Sequence, residues 1–94
     1  MPSLRIIYTK QVMDDGSIIE IVVWLLENPV PPCSHCYKYR LFFGRDRATC
    51  VRYDNERGKG DHRHYRNTES PYLFSSIPQL LADFRRDVEE WEET

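Results

Sequence analysis

The sequence predicts a small α+β fold: four or five antiparallel strands in a meander, with a C-terminal amphipathic helix packed on one face. Three observations predict it. Short runs of apolar and aromatic residues, divided by turn signals, recur from about residue 4 to about residue 65. The period then changes, and Ile77, Leu80, Leu81, Phe84, Val88 and Trp91 fall on one helical stripe. The 94 residues show no repeat and no linker, so residues 1–94 read as one domain around one modest core.

The elements follow in order. "SLRIIYTKQV" alternates β-branched and aromatic residues and reads as a strand, and "DDG" after it is a tight-turn signal. "SIIEIVVWLLE" is apolar on both sides apart from Glu20, which predicts a strand in the middle of the sheet. "NPVPPCSHC" holds Pro29, Pro31 and Pro32, so residues 28–36 form an extended loop. "YKYRLFF" puts Tyr37, Tyr39, Leu41 and Phe43 on one face and Lys38 and Arg40 on the other. "GRDR" is a turn, "ATCVRYD" a strand, "NERGKGD" a glycine-bearing loop, and "HRHY" a fifth short strand. The helix spans about residues 77–92, with Ser76 as cap, Pro78 in the first turn and Gln79 at the capping-box position.

Composition narrows the function classes. The longest apolar run, Ile21 to Leu26, is far short of the roughly 18 residues of a membrane span. The first residues show no signal-peptide pattern, so a cytoplasmic protein is expected. Cys33, Cys36 and Cys50 are an odd number and make a poor disulfide framework. The net charge of −2 hides an asymmetry: +5 between Lys38 and Arg66, and −4 between Gln79 and Thr94. Ordinary surface charge explains this as readily as a polyanion-binding surface does.

Several groups of residues carry chemistry, each with a plainer explanation. Cys33, His35 and Cys36 are half a zinc site, but Cys50, His62 and His64 lie at the wrong spacing to complete it. Incidental loop cysteines are the better reading. Lys38, Arg40 and Arg52 form a cationic platform for a nucleic-acid backbone if their strands neighbour one another; the alternative is a solvated face with cross-strand ion pairs. The stretch "YDNERGKGDHRHY" concentrates Arg57, Lys59 and Arg63 around His62 and His64, with Gly58 and Gly60 free to bend the loop close to a ligand. Cutting RNA without a metal needs a base, an acid and cations for the charged transition state. His62 and His64 supply the first two, the cations the third, and Tyr53 or Asp54 assist or orient. A polar hairpin with locally satisfied histidines is the plainer reading. Asp54, Glu56, Asp61, His62 and His64 also suit a divalent metal, but the surrounding positive charge raises the cost of adding another cation.

The pieces "DDGSIIEIVVW", "HCYKYRLFF", "VRYDNERGKGDHRHY", "PYLF" and "LLADFRRDV" occur in the order that resembles the TumE-like toxin family of prokaryotic toxin–antitoxin pairs, over roughly residues 4–90. The signature residues are Tyr53, Asp54, Asn55, Gly58, Lys59, Gly60, Asp61, His62, Arg63 and His64, with Lys38 and Arg40 from "YKYR". The resemblance implies a toxin encoded beside an antitoxin, typically a helix-turn-helix DNA-binding protein. Toxins of this size commonly act as ribonucleases. The expectation is therefore a metal-independent ribonuclease without cofactors. His62 and His64 are its acid/base pair, Lys59, Arg57 and Arg63 neutralise the phosphate, and Lys38, Arg40 and Arg52 hold the flanking backbone. The alternative is a non-catalytic module whose basic face binds nucleic acid or protein. The edge strands of so small a sheet also invite a homodimer.

Overall fold

A computed structural model describes residues 3–93, with side chains through Trp91; the end of the acidic C-terminal run lies outside the described side chains. Six strands form one antiparallel sheet in chain order: β1 (Ser3–Val12), β2 (Ile18–Leu26), β3 (Tyr37–Arg45), β4 (Ala48–Glu56), β5 (Gly60–Tyr65) and β6 (Thr68–Pro71). The helix α1 (Ile77–Glu93) packs on one face.

The sheet has six strands, not four or five. The extra one is "TESP", too short and polar to show alternation. It forms because Arg66 and Asn67 both adopt positive φ, which makes a two-residue turn whose twist suits a hairpin. Asp46 and Arg47 do the same between β3 and β4. β6 is an edge strand, where Pro71 is tolerated because no outer neighbour asks for its missing N–H. β2 is second from the edge rather than central. Only one of its apolar sides meets the core; the other lies on the face that the helix leaves open.

The core joins Val23, Tyr39, Leu41, Phe43, Val51 and Tyr53 of the sheet to Leu80, Phe84 and Val88 of the helix. Burying each large apolar side chain contributes about 1.5–3 kcal/mol. The Ser76 hydroxyl accepts the Gln79 N–H at 3.2 Å and caps the helix. The helix leans on β4 and leaves an apolar groove of about 290 Å³ between Ile7, Ile19 and Ile21 of the sheet and Leu81, Phe84 and Val88. The Pro-rich loop closes over the β4–β5 hairpin, where the Gly58 N–H donates to the Pro31 carbonyl at 3.0 Å. Gly60 has φ +78, and a Cβ there would come within 3.1 Å of Pro32.

Candidate functional site on the helix-free face

Strand register decides which side chains meet. Val22, Arg40, Asp54, His62 and Pro71 form one row across β2 to β6. Glu20, Phe42, Arg52, His64 and Glu69 form the next. Both rows face away from the helix. Tyr39, Tyr53 and Arg63 take the opposite face, as the alternation of a strand requires.

Cross-strand ion pairs bind the central cations of the open face. Arg40 pairs with Glu20 at 3.3 Å, and Arg52 pairs with Asp54 at 3.2 Å and with Glu69 at 2.9 Å. Lys59 stands 3.6 Å from Glu69. Its positive charge is the main cause that lowers the Glu69 carboxyl below its ordinary range; desolvation opposes it, and His62 and Arg52 add to the lowering. Lys38 donates to the Asn55 carbonyl. The basic excess of the sequence is therefore spread out: Arg45 and Arg47 at one hairpin end, Arg57 in the β4–β5 loop, Arg63 and Arg66 on the helix side, the last stacked on Trp91 at 4.2 Å.

At the centre of the first row lies a pair. His62 Nε2 is 2.7 Å from Asp54 Oδ1, and both residues are more than nine-tenths buried. The other ring nitrogen, Nδ1, is 3.1 Å from the Gly60 carbonyl, which can only accept, so Nδ1 carries a proton. Despite the short distance, neither His62 Nε2 nor Asp54 Oδ1 makes a hydrogen bond. Glu56, exposed at the end of β4, completes a group of three whose ligand atoms lie within 4.8 Å of one another. His64 sits half-buried in the neighbouring row, its Nδ1 also without a hydrogen bond.

A second polar cluster lies behind β5, under the Pro-rich loop. Asp61 Oδ1 accepts the Tyr39 hydroxyl at 2.6 Å and contacts His35 Nε2 at 2.8 Å; Oδ2 accepts the Cys33 thiol at 3.3 Å. The Tyr37 N–H donates to His35 Nδ1 at 3.2 Å, so the ring proton is on Nε2 and points at Asp61. Burial, reinforced by Asp61, pushes the Tyr39 hydroxyl far up and the Cys33 thiol up, so both stay protonated donors. Asn55 locks the cluster to β3, accepting the Tyr39 N–H at 3.0 Å and donating to the Tyr37 carbonyl at 2.7 Å.

The residues singled out from sequence divide by face. Asp54, His62, His64, Lys38, Arg40 and Arg52 come together on the open face, with Lys59 beside them. Tyr53 and Arg63 do not: both bind the fully buried Asp87 of the helix, at 2.5 and 2.6 Å. Gly58 and Gly60 spend their backbone groups on Pro31 and His62. Cys33 and His35 join Asp61 rather than Cys36. Sequence reading missed the aromatic half of the open face, where Arg5 lies over Tyr8 and Trp24, and Arg40 over Phe42. The apolar even positions of β2 carry that signal, but a strand apolar on both sides reads equally as a central one.

A cleft of about 380 Å³ runs beside the Asp54–His62 pair, lined by Trp24, Lys38, Arg40, Asp54 and Glu56. Another of about 220 Å³ lies on the far side, lined by Lys59, His62, Glu69 and Ser70. No helix among the described residues is long and apolar enough to cross a membrane. The family model described as "Toxin TumE" matches residues 3–92. No curated protein and no solved structure matches the chain.

Proposed function

Because the chain belongs to the TumE toxin family, a class whose action implies a partner antitoxin, we propose that it acts on RNA in the cytoplasm, as a ribonuclease working on the helix-free face. One observation carries this reading: His62 and His64 share one face of β5, with a cleft bordered by His62 and Lys59 on one side and one bordered by Lys38 and Arg40 on the other, and Arg52 pairs with His64 in the register. In such a cleavage the RNA 2′-oxygen attacks the adjacent phosphorus as its proton is withdrawn. The bond from phosphorus to the 5′-oxygen breaks, and that oxygen takes a proton. The products are a 2′,3′-cyclic phosphate and a free 5′-hydroxyl. Of the two histidines, His64 is the one placed to exchange a proton with substrate, because both nitrogens of His62 face protein oxygens. Arg40 and Arg52 are the cations of the two central rows, and in this reading they hold the phosphate. Tyr53 and Arg63 serve this reading from behind, by holding the helix to β4 and β5.

The aromatic half of the face favours a second reading, RNA binding without cleavage. Tyr8 is 48% exposed, and Trp24 and Phe42 are half-buried, a surface on which unpaired bases stack. The antitoxin is proposed to be a helix-turn-helix protein, and a homodimer through the exposed edge strand β1 belongs to the same proposal.

Tightly controlled induction in bacteria separates the readings. Wild type is expected to arrest growth and leave RNA ending in cyclic phosphate; His64→Ala, confirmed soluble, is expected to lose cleavage by about a hundredfold or more. Growth arrest with intact RNA would remove the ribonuclease reading, and undiminished cleavage by His64→Ala would remove its assigned role.

A further inference from the structure

We propose that Asp54, Glu56 and His62 bind one divalent first-row metal cation of the Mn²⁺ or Zn²⁺ type on the helix-free face. The inference rests on the ribonuclease reading for the purpose of the cation, but not for its binding.

The unmet chemistry of His62 points to it. Nδ1 lies against the Gly60 carbonyl, and Nε2 stands 2.7 Å from Asp54 Oδ1 without a hydrogen bond between them, so the ring points beside that oxygen rather than at it. Two buried polar atoms left without a hydrogen bond are costly. A cation seated beside both atoms satisfies them together. The outer contacts are those that metal sites use: a histidine whose far nitrogen donates to a backbone carbonyl, and a carboxylate whose other oxygen is held by a cation. Arg52 Nε provides the latter, 3.2 Å from Asp54 Oδ2.

One imidazole and two carboxylates are a mixed donor set, which suits Mn²⁺ or Zn²⁺ better than a thiolate or all-oxygen site would. Three protein ligands leave coordination positions for water or a phosphate oxygen. Glu56 borders the larger cleft and His62 the smaller, so the group lies between two open spaces. The objection raised by the sequence, the positive charge around these residues, is met by pairing: Arg40 is held by Glu20, Arg52 by Asp54 and Glu69, and Lys59 lies beside Glu69.

The Cys33–His35–Asp61 group offers the contrast. Its ligand atoms are as close together, but protons already fill it: the Cys33 thiol, the Tyr39 hydroxyl and His35 Nε2–H all point at Asp61.

The test uses the full chain, stripped with chelator and titrated with MnCl₂ or ZnCl₂ alone. Calorimetry is expected to give one strong site, and electron spin-echo spectroscopy of the Mn²⁺ form a nitrogen coupling from one imidazole. Glu56→Gln, an exposed change that spares the core, is expected to weaken binding by at least about tenfold. His62→Gln is expected to abolish the nitrogen coupling, and Glu20→Gln to change nothing. No binding at about 1 mM of either metal would overturn the site, as would full affinity in Glu56→Gln. RNA cleavage by metal-free protein that binds neither ion would remove the site and leave the ribonuclease reading. Site-specific binding without RNA cleavage would do the reverse.

Discussion

His35 and His62 each press Nε2 against an aspartate Oδ1, at 2.8 and 2.7 Å. The pairs sit back to back, since Asp61 and His62 are neighbours on β5 and project to opposite faces of the sheet. What separates them is the second ring nitrogen. A backbone N–H donates to His35 Nδ1, which leaves a proton on Nε2 to complete the bond to Asp61. A backbone carbonyl lies against His62 Nδ1, and Nε2 makes no hydrogen bond to Asp54 despite the short distance. The same two residue types at the same distance thus give a closed structural pin on one face and an open ligand set on the other. Distance alone does not classify a histidine–carboxylate contact; the partner of the other nitrogen does.

Matched substitutions break or sharpen this comparison. The largest effect is expected from Asp61→Asn, which replaces one acceptor by an N–H among three donors. Leaving buried donors unmatched predicts a loss of about 2 kcal/mol in urea unfolding. Asp54→Asn in metal-free protein is expected to be neutral or stabilising by up to about 1 kcal/mol, because Oδ1 makes no hydrogen bond that the change would remove. Equal destabilisation by both changes would mean that the two pairs are alike after all.

The smallest effect belongs to a carboxylate outside both clusters. Asp83 accepts the Tyr72 hydroxyl at 2.5 Å and Gln79 Nε2 at 2.9 Å, with Arg86 at 3.3 Å. Desolvation pushes its carboxyl up, but Tyr72, Gln79 and Arg86 together outweigh it and hold it below the ordinary 3.8. A group lowered on folding stabilises above its unfolded pKa, and that contribution is lost as pH falls through the folded value. Asp83→Asn is therefore expected to flatten the stability profile below about pH 4 by a few tenths of a kcal/mol. An unchanged slope would show that Asp83 contributes nothing to acid unfolding.

Much of this was legible in the chain. The alternation of "YKYRLFF" placed Tyr39, Leu41 and Phe43 inside and Lys38 and Arg40 outside, and the helical stripe predicted Leu80, Phe84 and Val88 as core. β6 was not legible, because a four-residue strand is made by its turn and its neighbour rather than by its own pattern. The open face was legible in membership but not in charge. His62, His64 and Asp54 stood out, whereas the pairing of Arg40 with Glu20 and of Arg52 with Asp54 and Glu69 depends on a strand register that the sequence does not fix. The meeting of Cys33 and His35 with Asp61 joins residues about a quarter of the chain apart, which no local period encodes.

The meander has a further consequence, in the order of assembly. Every strand pairs with the one made just before it, so the sheet can grow as the polypeptide leaves the ribosome, with little loop entropy to overcome at each step. The helix emerges last. Until it docks, Leu41, Phe43, Val51 and Tyr53 have no cover, and Asp87 is not there to receive Tyr53 and Arg63. A chain cut short within the helix would thus present a paired sheet with its helix-free face already formed and its core face unsealed.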